Sequence, residues 1–369
     1  MSGEKKHEYL AVDLLRGFAA LSVIVWHYQC LYAGTPGGPI LFRNRNEQPL
    51  YWLLRPFYEY GAGAVQMFWA ISGFVFAAAY VNHRQTAKHF FVARLARLYP
   101  LHLVTLLAVL AIQTFSLRAF GHIQIGGIDD LYHFALNIFF ASGWGFEKGF
   151  SYNNPVWSVS VEVVIYFAFF LSIPIVARLR FIAPAALTVL FHQLQTRAVP
   201  GAFWQCGYFF FGGVFLFSVV DRLGKLGLVL GIAMVALWLH KGYGVIDATL
   251  WYAFPLLFAG ILVCAASIDK FSIVRPVTEK LTWIGDSTYS TYLLHFPLMM
   301  VILCVFDATR VNRLAFIGQA RFFVPYIVGL FGTARLSYLY FEVPTGRAIR
   351  AYFLPPAKSP YPAVAALPE

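Results

Sequence analysis

Apolar runs of membrane-spanning length recur along the chain between short basic loops, and no polar segment is long enough to fold as a separate globular domain. Ten of these runs are predicted as spanning helices, near 10–33, 62–80, 98–116, 154–178, 181–195, 203–220, 226–240, 249–268, 286–306 and 322–341. LYHFALNIFFASGW, residues 131–144, has an apolar part of only about a dozen residues and is expected as a re-entrant or interfacial helix. The fourth span is expected to open on an Asn154 cap with Pro155 at its first position, and the ninth on an Asp286 cap. In the second, Ala70, Gly73 and Ala77 put small residues on one face, where a neighbouring helix can come close. The Gly- and Pro-rich stretch 34–61 reads as an external loop, and 351–369 as a disordered cytoplasmic tail behind a membrane domain of residues 1–350.

Charge orients these spans. Lys5, Lys6 and Arg16 stand at the first; Arg84, Lys88, Arg94 and Arg97 follow the second; Arg178 and Arg180, Arg222 and Lys225, then Lys270, Arg275 and Lys280, then Arg347, Arg350 and Lys358 follow later even-numbered spans. Ten spans with both termini cytoplasmic satisfy the positive-inside rule, the exception being an external loop with Arg310, Arg313 and Arg321 that is a candidate site for an anionic group. Asp13 and Arg16 interrupt the start of the first apolar run and no small-residue cleavage site follows, so it reads as an uncleaved span.

Composition narrows the class. The 369 residues are 59% hydrophobic and 12% charged, which places the chain among all-α integral membrane proteins rather than soluble ones. An aromatic share of 18% fits interfacial Trp and Tyr. The net charge of +11 is scattered singly through loops and follows topology rather than nucleic-acid binding. Four cysteines, at 30, 206, 264 and 304, form no CxxC or Cys/His ligand spacing, so neither a disulfide framework nor a metal site is indicated.

Against this background a few polar residues stand out. In YLAVDLLRGFAALSVIVWHY, Arg16 and His27 are eleven positions apart on nearly one helix face, roughly 16 Å, about half a bilayer core. Ionisable groups at that depth are costly and mark function; near the edge, Arg16 can equally be a snorkelling anchor. Arg94 and Arg97, one turn apart in ARLARLYP, present two guanidinium forks to a phosphate or pyrophosphate, or serve only as topology signals. Asn154, Ser158, Glu162 and Tyr166 recur every four residues as a polar stripe. Glu162 is placed to orient a histidine, pair with an arginine or meet a substrate hydroxyl. Tyr289, Tyr292 and His295 share a face just before Pro297, which frees the Leu293 carbonyl; a structural role for His295 fits that context. Ser72 beside Gly73, and Glu342 before Pro344, are further candidates. There is no phosphate-binding Gly-rich loop, GxSxG elbow or HExxH site.

Six pieces in order, DLLRGFAALSVIVWH, FWAISGF, ARLARLYP, PVWSVSVEVVIYF, STYSTYLLHFPL and YFEVP, resemble the membrane-bound acyltransferase 3 family of bacterial carbohydrate O-acylation enzymes. The resemblance implies an acyl-CoA donor, usually acetyl-CoA, presented from the cytoplasm, and an acceptor hydroxyl on a sugar of a polysaccharide, glycan precursor or glycolipid. His27 and Arg16 then take the family's Arg, ten residues, His roles, and Arg94 and Arg97 its cytoplasmic arginine pair. The expected catalytic set is His27, Arg16 and Glu162. The expected donor-binding set is Arg94, Arg97, Arg16 and Ser72, and the expected acceptor-binding set is Trp157, Tyr166, Tyr289, Tyr292 and His295. External aromatics such as Trp52, Trp144 and Trp157 are candidates to stack on sugar rings. Expected partners are membrane lipid, the donor, the carbohydrate acceptor and proteins of polysaccharide synthesis or export, in the inner membrane of a bacterium. The competing classes are succinyl or other acyl transfer, a polytopic transporter, and a non-catalytic member of an export complex; only the acyltransferases give Arg-x-x-Arg and an intramembrane histidine a common purpose.

Overall fold

The computed structural model describes residues 9–32, 45–82, 86–197, 201–242, 250–271 and 273–354. The proposed tail from 355 onward and most of the Gly- and Pro-rich stretch lie outside them. Among the described residues every regular element is a helix, with no strand. In order the helices are α1 (Leu10–His27), α2 (Tyr51–Tyr60), α3 (Ala64–Tyr80), α4 (Ala87–Phe120), α5 (Leu131–Ile138), α6 (Trp157–Arg178), α7 (Ile182–Thr196), α8 (Ala202–Leu223), α9 (Gly227–Gly242), α10 (Leu250–Ile268), α11 (Arg275–Asp286), α12 (Thr288–Thr309), α13 (Leu314–Ile317), α14 (Ala320–Ser337) and α15 (Val343–Phe353).

A helix stands at each of the ten predicted places, and among the described residues seven helical stretches are long and apolar enough to cross a membrane: Leu10–Tyr32, Tyr51–Tyr80, Ala87–Phe120, Asn154–Arg178, Ala202–His240, Thr288–Thr309 and Ala320–Phe353. The difference lies in the middle of the chain. The 15 residues of α7 reach about 22 Å, short of a hydrocarbon core of about 30 Å. At α8–α9 the chain breaks at Gly224, in left-handed backbone with φ 55°. Val189, Val229, Ile232 and Val328 point outward, as lipid-facing side chains do.

Other expectations are corrected by the local chemistry. The helix expected over 131–144 is α5 alone, eight residues long. Phe140 turns left-handed at φ 56°, and Gly143 lies so close to α6 that a Cβ would sit 2.6 Å from the Trp157 carbonyl oxygen. The α5 N-terminus is capped by Asp130, which accepts from the His133 N–H at 2.8 Å. Asn154 does not cap α6 through its side chain; it starts a 3₁₀ turn, Asn154–Val156. Asp286 ends α11 instead of opening α12, and its carboxylate meets Arg335 at 3.6 Å. Four helices lie in stretches expected as loop or tail: α2, the amphipathic α11, the short α13, and α15, which runs past residue 350.

Two apolar cores hold the bundle. One joins α3, α6 and α8 with aromatic side chains, Phe76 stacking on Tyr166 at 4.4 Å and meeting Phe210 at 5.5 Å. The other surrounds the His27 end of α1 with α4, α12 and α14, through Ile24, Leu106, Met299 and Leu330. At its other end α1 has no side-chain cap of its own. Asp269, just past α10, accepts the Ala11 N–H at 2.7 Å, a charge-assisted bond at a helix N-terminus. Burial raises the Asp269 carboxyl pKa, and the Ala11 N–H pulls it back down.

Pro297 inside α12 leaves the Leu293 carbonyl without its helical donor, and the Asn153 amide supplies one at 3.0 Å. Asn153→Ala strands that carbonyl in the core, at a cost of about 1–3 kcal/mol. A lower melting temperature in detergent is the expected outcome, and an unchanged one would mean that another donor satisfies Leu293.

Candidate active site

α1 carries polar groups at both ends of an apolar helix. Near its N-terminus Arg16 donates to Asp13 at 3.1 Å and lines a cavity of about 160 Å³ together with Ser72 of α3, Arg94 and Arg97 of α4, Glu162 and Tyr166 of α6, and Tyr289 and Tyr292 of α12. Eight of the residues expected from sequence thus meet around one space. With roughly 10–15 Å³ per water by this measure, it has room for a chain-like group rather than a whole nucleotide.

The three cations differ in their commitments. Arg94 donates to the Tyr80 hydroxyl at 2.9 Å and lies over the Phe76 ring, 4.7 Å from its centre, while its Nε is buried without a partner. Arg97 forms an ion pair with Glu342 and also donates to the Asp286 carbonyl at 3.3 Å. Glu342 is buried and takes a second bond from the Ser290 hydroxyl at 2.7 Å. It sits in a π-helical segment, Tyr338–Glu342, between α14 and α15. Such bulges re-aim side chains. Here the bulge turns a carboxylate inward onto α4. Glu342, a candidate from sequence for its place at the end of an apolar run just before a proline, is thus the partner of Arg97, and that pairing is what the sequence did not show.

The polar stripe of α6 faces this cavity through Ser158, Glu162 and Tyr166. Glu162 is buried, with Ser72 and Tyr166 as hydrogen-bonding neighbours and Arg16 and Arg94 as charged ones, and its Oε1 has no partner. Trp157 does not line the cavity; it packs edge-on against Trp69 at 6.0 Å. Trp144 is tied by its indole N–H to the Ser160 carbonyl at 2.9 Å, whereas Trp52 is exposed.

His27 and His295 also lie off the cavity. One turn beyond Tyr292 along α12, the His295 ring meets the His27 ring with centroids 4.9 Å apart. Tyr292 reaches both places. Its ring lines the cavity and lies 5.8 Å from His295, and its hydroxyl engages Ser158 at 2.7 Å and the Pro155 carbonyl at 3.0 Å. His27 Nδ1 contacts the Val23 carbonyl at 3.0 Å, and a carbonyl only accepts, so the proton is on Nδ1 and Nε2 is left as an acceptor, the form a general base needs.

At the opposite end of the bundle Asp307 of α12 accepts from Gln124 at 2.7 Å and contacts His122 at 3.1 Å, tying α12 to the segment after α4. Among the described residues no group of three or more His, Cys, Asp or Glu side chains is arranged to hold a metal ion.

A family model described as an acyltransferase domain matches residues 9–342. Acyltransferase MdmB of Streptomyces mycarofaciens is 31% identical over 173 residues, 45% of this chain. The match spans 38% of that protein's own length. No solved structure matches the chain.

Proposed function

The chain belongs to the acyltransferase 3 family, and from that premise we propose that it is a bacterial inner-membrane O-acyltransferase carrying an acetyl group from cytoplasmic acetyl-CoA to a sugar hydroxyl. The acceptor class is an exported or surface polysaccharide, a glycan precursor or a glycolipid. In this reading both termini lie in the cytoplasm, and the Arg16 end of α1 faces the donor. The observation that carries it is the convergence of Arg16, Arg94 and Arg97 with Glu162 on one cavity, at one end of the helix whose other end holds His27.

The chemistry follows from these positions. His27 Nε2 takes the proton of the acceptor hydroxyl as its oxygen bonds to the thioester carbonyl carbon. The carbon–sulfur bond breaks, and the proton passes to the departing thiolate. Arg94, with an unused buried donor, and Arg16 attract the donor's phosphates to the cavity mouth. Glu162, set among Ser72, Tyr166 and two arginines, orients the reacting groups. Tyr289 and Tyr292 line the path, whereas the packing of Trp157 on Trp69 supports no acceptor-stacking role for it.

The arginines separate donor binding from stability. Arg94→Ala is expected to raise the donor KM about tenfold or more, the worth of one charge-assisted contact, with a drop in melting temperature, from its lost Tyr80 bond and Phe76 contact, smaller than that of Arg97→Ala. Arg97→Ala strands the Glu342 carboxylate, so it lowers the melting temperature as well. Unchanged donor affinity in both variants would reject the phosphate role.

Mass spectrometry of surface glycans from a deletion strain, and from that strain complemented with wild type or His27→Ala, tests the whole reading. The expected result is loss of an ester of fixed mass, restored only by wild type. That mass separates acetyl from succinyl. Glycans identical in all strains would overturn the reading.

A further inference from the structure

His295 is an apolar-core residue with an unused polar atom. It is fully buried; its Nδ1 contacts the Tyr292 carbonyl at 2.6 Å, and its Nε2 is enclosed with no hydrogen-bond partner. Because the carbonyl can only accept, the proton is on Nδ1 and Nε2 is a bare acceptor. The same logic applies to His27. Among the described residues nothing hydrogen-bonds to Nε2 of either ring. Two imidazoles 4.9 Å apart, each with its donor nitrogen spent on its own helix, therefore bring two acceptors and no donor into one apolar place.

That arrangement costs free energy unless a hydrogen-bond donor completes it. The two rings lie in contact, 4.9 Å between centres and tilted by 47°, and among the described residues His295 Nε2 is hydrogen-bonded to no neighbour.

We infer that His295 is a second imidazole of the acyl-transfer centre, paired through Nε2 with His27 to receive the acceptor hydroxyl and then to hold the proton taken from it. This rests on the acyltransferase reading above. The hydroxyl enters as the missing donor. As its oxygen bonds to the thioester carbonyl carbon, its proton moves to His27 Nε2, and the neutral His295 ring beside it keeps its unprotonated Nε2 as an acceptor. The positive charge formed on His27 in the transition state is thus met by the electron-rich nitrogen of a neighbouring ring. When the carbon–sulfur bond breaks, the proton leaves for the thiolate, and both rings return to their starting tautomers. The pair confers a role on His295 distinct from re-satisfying the proline-disrupted helix, because Asn153 already fills the Leu293 carbonyl.

Two substitutions separate the nitrogens. Asn at 295 keeps a donor near the Nδ1 position, where it can still reach Tyr292, but places nothing at Nε2; Gln places an amide near Nε2. The purified enzyme in detergent or nanodiscs is assayed for transfer from acetyl-CoA. The expected result for His295→Asn is a kcat lowered about 100-fold, with donor KM and melting temperature near wild type, and a partial recovery in His295→Gln. The double variant His27→Ala/His295→Asn is expected to be no slower than His27→Ala alone, since residues that act as a unit are not additive. His295→Asn with at least half the wild-type kcat, or losses that multiply in the double variant, would overturn the pair. If His295→Asn lowers the melting temperature sharply, kcat per folded enzyme decides: a loss of about 100-fold with donor KM unchanged upholds the inference, and a wild-type kcat per folded enzyme overturns it. Full activity in His27→Ala is a different outcome: it rejects the acyltransferase mechanism itself.

Discussion

His27→Ala, in membranes with protein level matched to wild type, is expected to lower acyl transfer by about 10² to 10⁴-fold, the usual contribution of a positioned general base. At 1.36 kcal/mol for each factor of ten, that is roughly 3–5 kcal/mol of activation free energy. The size follows from the site. His27 sits at the end of an apolar helix, its tautomer fixed by the Val23 carbonyl one turn back, its Nε2 left for a hydroxyl and its ring against His295. Among the described residues its hydrogen bond is to its own helix, so the alanine variant should fold, melt close to wild type and still bind donor through the arginine-lined cavity. Loss of activity with donor binding retained is the diagnostic pattern. Normal transfer by His27→Ala would leave the residue a packing histidine.

Gly73→Ala is expected to have the largest effect on the fold. A Cβ at Gly73 would lie 1.8 Å from the Phe210 carbonyl oxygen, and one at Gly213 would lie 1.9 Å from the Ala70 carbonyl oxygen. Both obstacles are backbone, so neither can move by a rotamer change. Overpacking a core commonly costs about 1–3 kcal/mol, and here α3 and α8 must separate along their whole contact, so at least the upper end of that range applies. Since α3 carries Ser72 and Phe76 to the cavity, activity should fall together with melting temperature. Gly329→Ala is the control, because a Cβ there meets nothing within 4 Å. Gly73→Ala with wild-type melting behaviour would show that the two helices are not held at this distance.

Much of this was legible in the chain because the bilayer makes polar residues conspicuous. Small residues at 70, 73 and 77 announced a close helix contact, and α8 answers with Gly213. The four-residue polar spacing of α6 foretold which side of it faces the cavity, and Pro297 foretold a freed carbonyl that needed a donor. What stayed hidden was pairing across distance. Nothing local to YFEVP says that a π-helical segment turns Glu342 onto Arg97, 245 residues earlier in the chain. Nothing local to LLHFP says that His295 meets His27. Amphipathic α11 falls in a stretch expected as a basic loop, and it is held by packing on α1, where Gly17 meets Ile284 and Gly285 meets Asp13. Counting spans from apolar runs also assumed that every run crosses by itself, and α7 is too short for that.

Purified protein in proteoliposomes, given acetyl-CoA labelled in its acetyl group and a soluble glycan acceptor, provides the most direct measurement. Label should enter the glycan as a base-labile ester, with one free CoA thiol released per ester formed, and both signals should vanish in His27→Ala. Label that crosses the membrane as intact thioester, or stays in solution with no ester and no thiol, would contradict acyl transfer as the activity of this chain.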